Sequence, residues 1–373
     1  MKTRFAAIVL ACALLLSGCT SLFQRSYYSS TDHVDYSVDE DSSVLRAESY
    51  RGLVDAMLYF VNEHLSRGVV RLYNYTGNVE EDLAAACLEI THKDPLTAYA
   101  VERIAYEYSR IVSYYEVTVT VTFSHSQAEI NAIRSLPGIS SLRPLLEEAM
   151  AGFSSGLTLH LSYFSGNEET LRTMAAQAYY AVPQCAFGMP EMDVVFYPES
   201  GPQRIVVLSF RWPGDKKTLE MRSSELVAAA DQFLSLNPPS EEGHTPSALA
   251  EAFLLTVPPA DPAGAADPYS ALTGAPATLS AQMLALELLL HRAGLEAVYV
   301  SGFSGGAESC WLIVKTGENY SHLVQGEEGI LLLSDGEMTG RGCLWRTDLY
   351  PACGGLPVTE SDPPAEETSS AED

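Results

Sequence analysis

The sequence predicts an α+β protein in which two tandem α+β modules precede a buried helix packed on an antiparallel sheet. Three observations lead to this prediction. A pattern of helices and strands occurs twice, about 87 to 92 residues apart. Residues 116–123 alternate strictly between apolar and polar side chains, which is typical of a strand with one packed face. Residues 280–293 are apolar on nearly all sides, which indicates a helix enclosed by a core.

The first residues have the pattern of an export signal. Lys2 and Arg4 are basic, and residues 6–16 form an apolar run that is short for a membrane span. The following Leu16-Ser17-Gly18-Cys19 resembles the bacterial lipobox. The resemblance implies cleavage before Cys19, a thioether-linked lipid on its sulfur, and a bacterial protein anchored to the cell membrane on its extracytoplasmic side.

Composition limits the possible partners. The formal net charge of −26 disfavours nucleic acid and anionic membrane surfaces, because both would repel the chain. The histidines and cysteines do not occur at metal-ligand spacings, so we expect no metal and no cofactor. Apart from Cys12 and Cys19, an odd number of cysteines remains, so at least one stays unpaired. The sequence leaves their pairing open, including a bridge between the last two; they are Cys87, Cys185, Cys310, Cys343 and Cys353.

The two modules are diverged copies of one pattern. Residues 51–57 are similar to 143–150, 68–83 to 156–171, and 117–123 to 204–210. Each copy predicts a helix, a strand, a helix, a further helix or strand, and a strand. In the first copy these lie at about 47–66, 69–75, 79–91, 98–108 and 114–124. Small sheets covered by helices suit a spacer or a binding surface better than a catalytic unit.

The remaining segments are connections and ends. Thr245 and Pro246 predict the cap and first residue of a short helix that ends near Leu255. The predicted domains are a signal peptide (1–18), a flexible tether (19–45), the first module (46–135), the second module (136–236), a linker with the short helix (237–268), a C-terminal domain (269–353) and a disordered acidic tail (354–373).

The C-terminal domain begins with the apolar helix. Gly294 stands where a left-handed residue is expected to end it. Three short extended segments follow at 296–302, 309–315 and 319–324, separated by glycine-containing turns. The pattern predicts one buried helix against an antiparallel sheet.

This helix and the strands after it resemble the catalytic core of the transglutaminase-like (papain-like) superfamily. Gly302, Trp311, His322 and the cluster Ser334-Asp335…Met338 match the family frame, over about a quarter of the chain. In that family a cysteine opens the helix, a histidine lies two residues before the tryptophan, and an aspartate lies two residues after the position of His322. The resemblance implies the fold of a papain-like core.

The family's three catalytic positions are substituted. They fall on Leu279 (Thr278 by a second count), Ser309 and Val324. None of these side chains is a thiol, an imidazole or a carboxylate. The hydroxyls of Thr278 and Ser280 would lack a histidine to deprotonate them. The resemblance therefore implies a degenerate, inactive domain.

A relocated site is the alternative. Cys310 and His322 lie on neighbouring strand segments and would serve an active cysteine peptidase or amidase. In an alternating strand, however, we expect Cys310 to point away from the family's cleft and to be a small buried apolar side chain. The sequence thus predicts a lipid-anchored pseudoenzyme that binds or scaffolds at the cell surface, with a peptide, a cell-wall fragment or a protein as its partner.

Overall fold

The structure is a computed structural model that describes residues 36–38, 41–239, 243–326 and 329–354. The predicted signal peptide, Cys19, the first part of the tether and nearly all of the acidic tail lie outside these residues. Among the described residues, no helix is both long enough and apolar enough to cross a membrane.

Helices and sheets are both present, which confirms the predicted α+β class. In chain order, the helices are α1 (Tyr50–Asn62), α2 (Val79–Lys93), α3 (Pro95–Ala100), α4 (Gln127–Asn131), α5 (Arg143–Ala151), α6 (Glu168–Tyr180), α7 (Lys216–Leu236), α8 (Pro246–Leu254), α9 (Pro268–Leu272), α10 (Leu279–Arg292) and α11 (Asp335–Gly340). The strands are β1 (Tyr36–Val38), β2 (Val44–Ala47), β3 (Arg67–Tyr73), β4 (Val101–Ile111), β5 (Tyr114–Phe123), β6 (Arg134–Gly138), β7 (Gly156–Tyr163), β8 (Glu191–Tyr197), β9 (Arg204–Arg211), β10 (Ala297–Ser304), β11 (Ala307–Thr316), β12 (Asn319–Gly326), β13 (Gly329–Leu333) and β14 (Cys343–Trp345).

The chain divides into two compact units that do not follow the order of the sequence. Unit 1 contains the described residues up to Leu142, together with Gly156–Gly166 and Asp193–Ser209, and unit 2 contains the rest. The strands β6 to β9 therefore fall mainly in unit 1, whereas α5 and α6, from the same stretch of sequence, fall in unit 2. The domain boundaries predicted from the sequence stay predictions.

The repeat in the sequence corresponds to a repeated strand topology. One sheet has the order β1-β2-β3-β5-β4 and the other the order β6-β7-β9-β8. In each, the earlier strand (β2 or β6) runs parallel to the next (β3 or β7), which pairs antiparallel with the last strand (β5 or β9). The first sheet carries β1 as an additional strand.

Local sequence explains the elements of the first module. On β5, Val117, Val119 and Val121 are at most 3% exposed, as their alternation with threonine predicts. Helix α2 begins where the side chain of Asn78 accepts a hydrogen bond from the Glu80 N–H at 3.2 Å. Acidic residues follow in its first turn, where they interact favourably with the positive end of the helix dipole.

Helix α10 lies at the centre of unit 2. Ten consecutive residues, from Ala281 to Leu290, are buried, because α10 packs against the helices α7, α8 and α9 and the strands β10 and β11. The side chain of Thr278 caps its start by accepting a hydrogen bond from the Ala281 N–H at 3.2 Å. Gly294 ends it with a φ of +79°, as predicted.

The sheet of unit 2 is antiparallel, with the order β13-β12-β11-β10-β14. Its register places Ser301 opposite Cys310 and Ile313 opposite His322. Side chains alternate between faces along a strand, so Cys310 and His322 lie on opposite faces. The His322 face carries an apolar cluster, which includes Trp311, residues of α11 and β14, and Cys353.

Candidate functional site

A cavity of about 1180 Å³ lies at the N-terminal end of α10. We call it the helix-end cavity; its lining includes Thr278, Leu279, Ser280, Tyr299, Ser309 and Cys310. It therefore occupies the place at which the resemblance to the transglutaminase-like superfamily positions a catalytic cysteine.

Three polar side chains of the helix-end cavity, those of Ser280, Tyr299 and Cys310, interact with one another in sequence. Ser280 Oγ and the Tyr299 hydroxyl share a hydrogen bond of 2.9 Å, and the same hydroxyl interacts with the Cys310 thiol. Tyr180 stacks on the Tyr299 ring with 4.4 Å between ring centroids. Burial raises the pKa of Tyr299 and also the pKa of the Cys310 thiol. At neutral pH these groups are therefore a neutral phenol and a neutral thiol, neither of which is an effective base.

The expectation that Cys310 points away from the cleft is wrong. Alternation correctly separates Cys310 from its strand neighbours on the sheet, but the face that carries Cys310 is the one that also carries Tyr299 and meets the start of α10. The opposite face is occupied by the large ring of Trp311, which needs its own apolar surroundings. Cys310 is 9% exposed, so the expectation that it is buried is confirmed.

The three positions that the sequence resemblance aligns with a catalytic trio lie together. Leu279, Ser309 and Val324 all line a second cavity, of about 370 Å³, which we call the strand-gap cavity. It lies where β11 and β12 separate: their pairing stops at Leu312 and Leu323, and β12 continues beside β13 alone. A leucine, a serine and a valine at this point cannot relay a proton.

His322 lies on the other face of the sheet and has both ring nitrogens engaged. The Trp311 indole N–H donates to His322 Nδ1 at 2.9 Å, and His322 Nε2 lies 2.8 Å from Asp335 Oδ1. An indole nitrogen is only a donor, so Nδ1 carries no proton and Nε2 donates to the carboxylate. Burial lowers the pKa of His322, although the hydrogen bond with Asp335 opposes the shift. The imidazole is therefore neutral and has no free nitrogen for a substrate.

Asp335 also holds the end of the described chain. The Cys353 N–H donates to Asp335 Oδ2 at 3.0 Å, and the Asp335 N–H donates to the Cys353 carbonyl at 2.9 Å. Burial, with the charge of Asp335, raises the pKa of the Cys353 thiol to about 12. These two hydrogen bonds hold the segment around Cys353 against the start of α11.

His322, Asp335 and Cys353 could be considered as metal ligands, because one donor atom from each lies within 4.8 Å of the others. A metal at Nε2 would have to displace the proton that the Trp311 contact assigns to that atom, and zinc binds the thiolate rather than the thiol. The hydrogen bonds already satisfy the imidazole and the carboxylate. The donor set thus fits a structural network better than a metal centre.

The structure does not bring the alternative pair together. Cys310 and His322 lie on opposite faces of the sheet, and the thiol contacts Tyr299 rather than an imidazole. The described cysteines are all free thiols, so Cys343 and Cys353 are not bridged. Cys343 instead lies beside Ser304, with 3.7 Å between Sγ and Oγ.

The geometry defines a concave site in which hydroxyl, thiol and aromatic groups lie beside the charged side chains of Glu308 and Arg346. A concave lining of this mixed kind is suited to holding a ligand. Comparison of the chain with models of known protein families, and with curated protein sequences, gives no match.

We expect the Cys310 thiol to react slowly with iodoacetamide at neutral pH, because burial keeps it protonated. His322→Ala should leave that rate unchanged, since the imidazole does not touch the sulfur. The measurement is mass spectrometry of labelled peptides over time at pH 7. Labelling of Cys310 ahead of the half-buried Cys87, and its loss in His322→Ala, would establish the relocated catalytic pair.

The lowered pKa of His322 predicts a specific pH dependence of stability. At a pH below 6.5, the ordinary pKa of histidine, His322 is protonated in the unfolded chain but stays neutral in the folded protein. The free energy of unfolding therefore decreases as the pH falls through this region. His322→Gln should remove this contribution, and the stability difference between wild type and variant should shrink from pH 7.5 to pH 5.5. Urea denaturation of both proteins measures it; a difference independent of pH contradicts the assignment.

Proposed function

We propose that the chain is a binding protein whose C-terminal region is a degenerate transglutaminase-like domain, and that its helix-end cavity holds an extended peptide without cleaving it. One observation carries the proposal. The groups that could act as nucleophiles at the helix end already have partners. Thr278 Oγ1 accepts the Ala281 N–H, and Ser280 Oγ and the Cys310 thiol both interact with the Tyr299 hydroxyl. The described lining of this cavity contains no histidine.

The convergence of Leu279, Ser309 and Val324 on the strand-gap cavity supports the relation to the transglutaminase-like superfamily. Positions that carry a catalytic trio in an active enzyme must meet in space, and these three do so although they are distant in the sequence. Their side chains keep the shape of a cleft without its acid–base chemistry.

The lining supports a peptide as the ligand. Phe303 on β10 and Leu344 on β14 are opposite each other in the register, are 47% and 63% exposed, and both line the helix-end cavity. Exposed apolar neighbours of this kind offer contact area for the side chains of a bound chain, while the serines offer hydrogen bonds. A volume of about 1180 Å³ exceeds the usual range for a single small molecule, roughly 300 to 1000 Å³.

The N-terminal pattern adds a location to this proposal. A lipid on Cys19 would anchor the protein to the outer side of the cell membrane, with the tether between the lipid and the folded units. The high negative charge would keep those units off an anionic lipid surface.

We expect saturable binding of fluorescent peptides, measured by anisotropy against a mixed peptide library and against the peptide portions of cell-wall fragments. Phe303→Ser should weaken binding at least about tenfold, because it removes an apolar contact worth roughly 1.5–3 kcal/mol. Met221→Ser is the matched control: it removes another exposed apolar side chain of unit 2, 57% exposed, which does not line the cavity. Mass spectrometry should recover the peptide intact.

Three results would contradict the binding proposal. Cleavage of the peptide by wild-type protein would make the domain an enzyme. Equal affinity in Phe303→Ser would place the ligand elsewhere, and no saturable binding to any peptide would leave the protein a spacer.

Membrane attachment should depend on the sulfur of Cys19. In a bacterial host, wild-type protein should enter the detergent phase on separation with Triton X-114, whereas Cys19→Ser should stay in the aqueous phase, because a hydroxyl cannot form the thioether. Cys12→Ser, within the signal, is the matched control and should behave as wild type. Membrane retention of Cys19→Ser after the same separation would contradict lipid anchoring.

A further inference from the structure

Helix α10 contains one buried carboxyl group, that of Glu287, which is 1% exposed. Its Oε1 accepts a hydrogen bond from the Tyr299 backbone N–H at 3.0 Å. Within the described part of the chain, its Oε2 has no hydrogen-bond partner. A buried carboxyl oxygen without a partner is unfavourable in either protonation state, so Glu287 needs a physical explanation that packing alone does not supply.

Glu287 lines a cavity of about 400 Å³ beside the edge of β10, which we call the Glu287 cavity. Four tyrosines contribute to the same lining: Tyr180, Tyr299, Tyr320 and Tyr350. The volume lies within the range of small-molecule sites. Aromatic rings around a carboxyl group are the surroundings that organic cations prefer, because the ring faces are electronegative.

The carboxylate, guanidinium and imidazole groups elsewhere in the described lining already have partners. Glu147 accepts a hydrogen bond from Arg143 at 2.7 Å, and Glu296 accepts hydrogen bonds from Lys315 at 2.9 Å and from Tyr320 at 2.7 Å. His291 Nε2 is bonded to the Ala297 carbonyl at 2.9 Å.

Within the described lining, the buried carboxyl oxygen without a hydrogen-bond partner is Glu287 Oε2. Calcium or magnesium would need several oxygen ligands, and an anion would meet an acidic group. A single ammonium group needs only one such oxygen together with apolar or aromatic contacts for its carbon atoms.

We propose that the Glu287 cavity binds a small organic cation, a primary alkylammonium, whose N–H donates to Glu287 Oε2 while the tyrosines surround its carbon chain. This site goes beyond the peptide binding proposed above, although Tyr180 and Tyr299 line both cavities. Burial raises the pKa of Glu287 well above its ordinary value, so the carboxyl group is neutral while the cavity is empty. On binding, the ammonium keeps its proton and Glu287 releases its own proton to the solvent.

Isothermal titration calorimetry of the full chain tests this proposal with butylammonium and phenethylammonium, and with 1-butanol as the neutral counterpart of the first. We expect the ammonium probes to bind with a dissociation constant of about 1 mM or lower, and 1-butanol to bind at least about tenfold more weakly, since a charged hydrogen bond is worth roughly that factor or more. Titrations in buffers of different ionisation enthalpy should show about one proton released per ammonium bound.

Glu287→Gln keeps the shape of the side chain but cannot become negatively charged when the ammonium binds, so it should weaken ammonium binding at least about tenfold. Glu147→Gln is the matched control, because Glu147 lines the same cavity but is already paired; it should change the affinity by less than about twofold. The proposal is overturned by an absence of saturable ammonium binding up to about 10 mM, by equal binding of 1-butanol, or by unchanged affinity in Glu287→Gln. If that variant does not fold, ammonium binding to wild type without proton release overturns it equally. These probes contain no peptide, so their failure leaves the peptide proposal standing.

Discussion

Side chains of α10 form hydrogen bonds with backbone groups of β10 that no neighbouring described strand pairs. Strand β14 pairs with β10 only from Gly302 to Ser304, so backbone groups nearer the start of β10 need other partners. Glu287 accepts the Tyr299 N–H, and His291, one turn later, donates to the Ala297 carbonyl. Because both side chains come from one side of the helix, α10 cannot slide along the sheet without leaving these groups unpaired. The cavities beside α10 depend on this fixed register.

The two faces of the same sheet use hydrogen bonds differently. On the face that carries His322, hydrogen bonds join Trp311 to His322 and His322 to Asp335, and each bond has one possible donor. On the face toward α10, Ser280, Tyr299 and Cys310 form a shorter chain that borders an open cavity. The first arrangement closes a core and the second leaves neutral polar groups facing a space. A relay for protons would require the imidazole on the second face.

Local patterns predicted many of the elements. The apolar run at 280–293 lies in the helix Leu279–Arg292, Thr245 begins a helix as its cap, and Gly294 ends one. The repeat in the sequence appeared as a repeated strand order. The direction of Cys310 was predicted wrongly, because alternation tells which side chains share a face but not which face meets the helix. Glu287 was overlooked, although a single carboxyl group among leucines was a visible signal.

The sequence by itself determined what neighbours along the chain decide: the α+β class, the helix and strand periods, the start of one helix at Thr245 and the end of another at Gly294. Only the tertiary structure decided which distant groups meet. Packing between separate elements determines the hydrogen bond of His322 with Asp335 and that of the Cys353 N–H with the same carboxylate. It also determines that Glu287 Oε2 has no hydrogen-bond partner. The physical reason is that the repeat of a helix or a strand determines on which face of that element a side chain lies. Which residue it contacts depends on how that element packs against others, and the local sequence pattern does not determine this packing.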